Sequence, residues 1–463
     1  MTPGLPTPRR YGAIAAVSFG SALIVIDGAI ATVALPTIAR DLHVEPSAAV
    51  TVVTVYQLAL VMMLLPFSAL GERVGLRKLY QIGQLVFTVA TILCFFAKSL
   101  PFLLIVRAVQ AGGAAAALSV SSALIRQVYP SNHLGRGLGF NSVVVSSSAA
   151  LAPALGGLVL ALGPWPWVFA SAVPFAIVSL LLGRSLPDTP GRVEPYDVLG
   201  AVLCAAMFGL VIGGLESGVH GDSPVVSAAI VLTGALIGVI FVRREWGEAK
   251  PILPVDLLMR PVLGLSVLGA FTAFTASMTL LLSLPFRLQT GYGFSPAEVG
   301  AVIVPWPLTT MVVAPTAGIL SDRYPAGLLG GIGMTLSIAG LIAMAFLPVH
   351  PGWFDLAWRM SLTGGGFGLY LAPNARLIVG SAPSHRAAAA GGLVSTTRMV
   401  GQTTGATLAA ALLALGIGAG AIPPLVSAGL ALIAGICSLA RLRPSLRNPA
   451  QTEAEEAQPA QIR

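Results

Sequence analysis

Charge is what this chain has least of. Of its 463 residues only 10% are Asp, Glu, Lys or Arg, while 56% are hydrophobic and the mean hydropathy is +0.86. A chain of this length with that balance is excluded from the water-soluble class. Histidine is scarce, and all five (His43, His133, His220, His350, His385) fall in predicted loops without metal-ligand spacing. The three cysteines, Cys94, Cys204 and Cys437, sit in apolar runs, which fits small core residues rather than a disulfide framework or ligands. No Gly-x-x-x-x-Gly-Lys-Ser/Thr phosphate loop is present, so an ATP-driven pump is excluded unless a partner supplies the engine. There is also no Gly-x-Ser-x-Gly nucleophile turn, and the reading is not an enzyme; a non-transport membrane enzyme or sensor is a remote alternative. Basic residues are not clustered with aromatics, so the net charge of +8 does not point to nucleic acid.

What the chain does have is apolar runs of about 20 residues, the length that crosses a ~30 Å hydrocarbon layer as a helix. Fourteen are expected, near 12–36, 48–70, 78–98, 101–124, 137–162, 165–184, 196–216, 224–243, 262–284, 296–320, 327–347, 353–379, 389–415 and 421–440. With the N-terminus inside, nineteen of the 26 Lys and Arg fall in cytoplasmic segments, as the retention of basic residues on that side requires. Three lie in outer loops (Arg40, Lys98, Arg287) and four in spans (Arg107, Arg359, Arg376, Arg398). Arg359 follows Asp355 by four residues, an expected local pair on one helix face. Arg376 and Arg398 are expected near cytoplasmic helix ends, reaching the interface. The N-terminus has no short apolar core with a cleavage site, so the first span is expected to be retained. The polar segment NPAQTEAEEAQPAQIR at 448–463 is too poor in apolar residues to order itself.

One charge breaks the apolar pattern. In SALIVIDGAIATVALP, Asp27 has no other charged residue between Tyr11 and Ala39. An ionised carboxylate at membrane depth costs roughly 2.5–3.5 kcal/mol or more, so it lines a polar cavity, has a partner, or takes up a proton. The chain also repeats itself: SALGERVGLRK (68–78) follows the second span and GILSDRYPAG (318–327) the tenth. The expected division is an N-terminal six-helix bundle at 1–184, an inserted pair of spans with a linker at 185–260, a C-terminal six-helix bundle at 261–441, and a disordered tail at 442–463.

These motifs carry a resemblance. The loop Ser68, Leu70, Gly71, Glu72, Arg73, Gly75, Leu76, Arg77, Lys78 resembles the Gly-x-Leu-Ala-Asp-Arg-x-Gly-Arg-Lys pattern of major facilitator superfamily transporters, and Gly318, Leu320, Asp322 and Arg323 its second copy. LLIVRAVQAGG resembles the family's Arg-x-x-Gln-Gly segment through Arg107 and Gln110. SAALAPALGG is similar to the antiporter signature through Pro153, Gly156 and Gly157, with Ser148 and Ala152 where glycines are usual. IDGAIATVALP and TTRMVGQTTGATLAAAL resemble the first- and thirteenth-span motifs of the fourteen-span drug/proton antiporter group.

The resemblance implies an all-α integral membrane protein with 14 transmembrane helices, two six-helix bundles related by a pseudo-twofold plus two inserted central helices. It implies a secondary active transporter in a bacterial inner membrane, both termini cytoplasmic, working as a monomer. Its function would be proton-coupled multidrug-type export of amphipathic organic compounds by alternating access. The proton gradient serves in place of a cofactor, and membrane lipid is the surrounding partner. Proton-coupled transport of a specific metabolite, with uptake as one direction, is the alternative. The loop residues Glu72, Arg73, Gly75, Arg77, Lys78, Asp322 and Arg323 would form a conformational switch. Pro153 would kink the fifth span, and Gly156 and Gly157 would admit a neighbouring helix to seal the outer end. Tyr56, Gln57, Gln110, Asn141, Phe271, Phe274, Trp306, Asn374 and Gln402 are drawn from cavity-facing spans as substrate lining.

Spans one and four are neighbours in the resembling fold. Asp27 lies nine residues before Pro36, about 13 Å, and Arg107 six residues into its span from the same side, about 9 Å at ~1.5 Å per residue. Arg107 is therefore the expected partner, as a proton-coupling pair or as a static buried bridge. The other acids within reach of a span, Glu216, Glu298 and Asp355, stand at outer ends, which suggests monovalent-cation or neutral substrates.

Overall fold

A computed structural model describes residues 5–129, 134–188, 197–219, 223–246, 258–321, 323–380 and 387–443. All regular elements among them are helical, the arrangement that satisfies every backbone group internally in lipid. The first half holds α1 (Thr7–Asp41), α2 (Pro46–Val74), α3 (Leu76–Phe95), α4 (Leu100–Val128), α5 (Leu134–Leu162), α6 (Pro166–Ala170) and α7 (Val173–Leu182). A hairpin of α8 (Val198–Val219) and α9 (Pro224–Glu245) follows. The second half holds α10 (Pro261–Phe286), α11 (Pro296–Ile303), α12 (Pro305–Leu320), α13 (Ala326–Ala345), α14 (Trp353–Gly380), α15 (Ala387–Ala414) and α16 (Ile422–Ala440).

Each expected span coincides with a helix or a broken helix, and eleven among the described residues are long and apolar enough to cross a bilayer. Two spans differ from the uninterrupted helices expected. The sixth breaks at Ser171–Ala172 between α6 and α7, and the tenth at Val304 between α11 and α12. Pro305 explains the second break, since it has no N–H to donate and crowds the preceding turn. Most helices begin with proline in the first turn, where the missing donor costs nothing. The α2–α3 turn is a single residue, Gly75, with φ 104°, a conformation that favours glycine.

The packing of the halves repeats. In the first, α1 packs on α5 and α7, α4 on α2 and α3, and α3 on α6 and α7; in the second, α10 packs on α15 and α16, α14 on α12 and α13, and α13 on α16. The cross-contacts repeat too, with α2 on α15 and α5 on α11 and α12, as a twofold relation demands. The α8–α9 hairpin leans through α8 on α2 and α15, one helix from each half.

The halves join at one end, here called distal, opposite the start of α1. Ile30, Ala34, Leu35 and Ile38 of α1 and Val50 and Val53 of α2 form one apolar cluster with Met278, Leu282 and Phe286 of α10 and Ala406, Ala409 and Ala410 of α15. Towards the proximal end the cores separate. Ala13, Ile14, Leu79 and Leu124 belong to a first-half cluster that Met399 alone touches from the second half, and Leu263, Ile378 and Leu393 to a small second-half cluster.

Candidate functional site

Asp27 lies inside the first bundle with nothing of its side chain exposed. Arg107 on α4 donates from Nη1 to Asp27 Oδ2 at 2.5 Å, and Gln110, one turn along the same helix face, donates from Nε2 to Asp27 Oδ1 at 3.0 Å. The two α4 residues are tied together, because Arg107 Nη1 also donates to Gln110 Oε1 at 2.6 Å. Gln110 Nε2 reaches Thr91 Oγ1 at 2.8 Å, and Thr91 donates to the Phe87 carbonyl at 2.7 Å. The guanidinium lies 4.2 Å from the Tyr56 ring centroid and 5.2 Å from that of Phe169, with Nε 3.4 Å from the Val52 carbonyl. Cys94 Sγ stands 3.9 Å from Gln110 Oε1.

This is a water-excluded ion pair with a net charge of zero, stacked between aromatic faces. Its carboxylate keeps both oxygens occupied, whereas Arg107 Nη2 and the Tyr56 hydroxyl have no hydrogen-bond partner. Beside Asp27, a Cβ at Gly28 would meet nothing within 4 Å. Gln110 and Tyr56, expected in the substrate lining, are instead committed to this cluster. Thr91, Phe169 and Val52 were not anticipated. Gln84, Thr88 and Thr91 do form a polar row at helical spacing on an otherwise apolar α3, a signal readable in the sequence.

The remaining lining residues divide. Phe274 and Trp306 pack against Phe367 at 5.5 and 5.8 Å between ring centroids and are buried inside the second bundle. Asn374 donates to the Ser266 carbonyl at 3.1 Å and accepts from Arg441 Nη1 at 2.6 Å. Arg441, counted from the sequence as a cytoplasmic loop charge, is buried there, donating also to Ser266 and Ser438. These three positions hold the bundle together rather than line an opening. Gln57, Asn141, Phe271 and Gln402 are half-buried; Gln57 reaches Met278 Sδ across the halves at 3.9 Å.

The loop charges lie at the proximal end. Arg77 pairs with Asp188 and donates from Nη2 to the Arg184 carbonyl at 3.1 Å, contacts internal to the first half. Arg73, Lys78 and Arg323 are exposed; Asp322 and the Glu72 side chain lie outside the described residues. Arg376 donates to Ser321 Oγ at 2.9 Å beside the second loop copy. Arg359 pairs with Asp355 on its own helix. Arg398 is not near a helix end: it lies eleven residues into α15, about 16 Å at ~1.5 Å per residue. On α5, Pro153 lies within the helix. A Cβ at Gly156 would come within 2.8 Å of Ile30 on α1, and one at Gly157 within 2.7 Å of the Pro296 carbonyl on α11. The glycine pair thus admits one helix from its own bundle and one from the other, at the distal seal.

The family model described as Major Facilitator Superfamily matches residues 17–264 and 266–463. The chain is 43% identical over 413 residues to the "Uncharacterized transporter YebQ" of Escherichia coli (strain K12), covering 89% of this chain and 90% of that one. It is 30% identical over 417 residues to the "Tetracenomycin C resistance and export protein" of Streptomyces glaucescens, covering 89% and 77%. A crystal structure of a mutant of the peptide transporter POT superposes with a TM-score of 0.71 over 94% of each chain at 15% identity, a likeness of fold. Packing repeated in the two halves, a charge pair buried inside the first bundle, and a family match across both halves converge: the chain is a membrane-spanning transporter of the Major Facilitator Superfamily.

Proposed function

We propose that the protein is a proton-coupled exporter of amphipathic organic compounds, of the fourteen-span drug/proton antiporter group. It works by rocking of the two bundles about an opening between them. All fourteen helical segments cross a bacterial inner membrane in this reading, with both termini in the cytoplasm, so that the distal seal faces outward. The excess of basic residues in the proximal segments supports that orientation, and the named export activity of the Streptomyces relative supports the direction of transport.

The observation that carries the reading is the Asp27–Arg107–Gln110 cluster. Arg107 favours the ionised aspartate, while the apolar surroundings favour the protonated one. A movement that separates the two changes which effect wins, and that change is what proton coupling needs. Arg107 Nη2 and the Tyr56 hydroxyl, both unengaged, supply hydrogen-bonding capacity for a second arrangement. In this conformer Arg77 pairs with Asp188, just past the end of the first bundle, and in this reading the loop charges rearrange as the proximal end opens and closes.

Asp27→Asn tests the coupling. In liposomes the variant is expected to fold and to exchange substrate down its gradient, but to lose accumulation against one after a pH step. Uphill, pH-dependent transport at the wild-type rate would make Asp27 a structural residue. Uphill movement inward of a single metabolite would instead favour the uptake reading.

A further inference from the structure

We infer that the opening between the bundles holds an anion site built on Arg398, and that the compounds the protein carries include organic anions. This inference rests on the transport reading above and specifies its substrate class. Arg398 is half-buried at mid-depth, and among the described residues it has neither a hydrogen-bond nor an ion-pair partner. Its neighbours in register fix the direction it faces. Ser395, Arg398, Gln402, Ala406, Ala409 and Leu413 recur at intervals of three and four residues, one stripe along α15. The distal members of that stripe, Ala406, Ala409 and Leu413, pack against α1 and α2 in the shared apolar cluster. Arg398 and Gln402 stand on the same stripe one to two turns below the seal, at the level where Met399 touches the first-half core. They therefore face the gap between the halves.

A lone guanidinium at this depth is costly, and intramembrane cations are normally paired or turned to a water-filled cavity. Among the described residues nothing provides the pair. Asp27 is fully buried and already bridged by Arg107 and Gln110. The other described acids stand in loops or within three residues of helix ends. The net field in the gap is therefore positive, which argues for anions over the monovalent cations that the distribution of acids alone suggested. A guanidinium fork matches a carboxylate or sulfonate with two parallel hydrogen bonds. An apolar wall is at hand, since the α10 and α15 backbones approach closely at Phe271 and Gly401, where a Cβ would meet the Phe271 carbonyl at 2.7 Å. The half-buried Phe271 ring then suits the apolar part of the same molecule.

The test uses fluorescein and rhodamine 123, an anion and a cation on one xanthene frame. Binding is read by fluorescence anisotropy on the purified full chain, and pH-driven transport in proteoliposomes. Wild-type protein is expected to bind fluorescein more tightly than rhodamine 123. Arg398→Gln is expected to weaken fluorescein binding about tenfold with little change for rhodamine 123, and Arg398→Lys, which keeps the charge but not the fork, to restore part of the loss. The Lys variant and the unchanged rhodamine 123 affinity separate loss of the site from loss of the fold. Absence of fluorescein binding by the wild type, or equal binding by Arg398→Gln, overturns the anion site even if pH-driven transport of rhodamine 123 stands. Arg398-dependent binding without any pH-driven transport supports the site while overturning proton-coupled export.

Discussion

Arg107 concentrates more dependencies than any other side chain in the first bundle: it holds Asp27 and Gln110, and it separates the Tyr56 and Phe169 rings. Removing one partner of a buried pair leaves a charge without compensation, typically a loss of about 3–5 kcal/mol. Arg107→Ala is accordingly expected to unfold at markedly lower denaturant than the wild type. Adding Asp27→Asn to it should recover much of the difference, because no bare carboxylate then remains; denaturation followed by intrinsic fluorescence measures both. Much of this site was legible. A lone aspartate in an apolar helix announces itself, and counting residues from the outer end brought Arg107 to its depth. Gln110 could have been placed as well, since three residues on from Arg107 is one helical turn. The stacking of Tyr56 and Phe169 was not legible, because it depends on how α2 and α6 are placed about Arg107. Arg398 was misread for a related reason. Its distance from the end of a span was judged from the apolar run, which gives no sign of which side faces the other bundle.

At the scale of elements, the glycines of α5 make the sharpest expectation. Gly157 stands where a Cβ would press on the backbone of α11, at Pro296 and Ala297, and a carbonyl cannot yield as a flexible side chain can. Gly157→Val is therefore expected to hold the distal ends apart and shift the population towards distal opening. Thiol labelling of a cysteine placed at Leu35, buried in the seal of the parent chain, measures it: labelling should rise severalfold, and unchanged labelling with full transport would remove Gly157 from the seal. The helices themselves were legible from runs of apolar residues alone. Their breaks were not, because a proline by itself does not announce one: Pro36, Pro66, Pro285 and Pro315 pass within helices, while Pro305 begins a new one after Val304.

At the scale of the whole molecule, the repeat was visible as two copies of one loop, and the packing of the halves repeats accordingly. Which end is sealed was not visible, because the alternating access proposed above would require one sequence to be compatible with both. The two halves treat charge differently: among the described residues the first keeps its pair neutral and buried, and the second turns the unpaired Arg398 to the gap. That asymmetry bears on how the membrane voltage acts. If an organic anion leaves the cell as a proton enters, both movements carry positive charge inward, and an interior-negative potential drives both. Each such charge is worth about 2.3 kcal/mol per 100 mV, so a single proton per cycle suffices for steep accumulation outside. Export of fluorescein from proteoliposomes should therefore persist at equal pH on the two sides when a potassium diffusion potential is imposed with valinomycin, and stop when that potential is collapsed. A carrier of monovalent cations exchanging one proton per cycle would be indifferent to the voltage; this one would run as a generator of current, with Arg398 setting its sign.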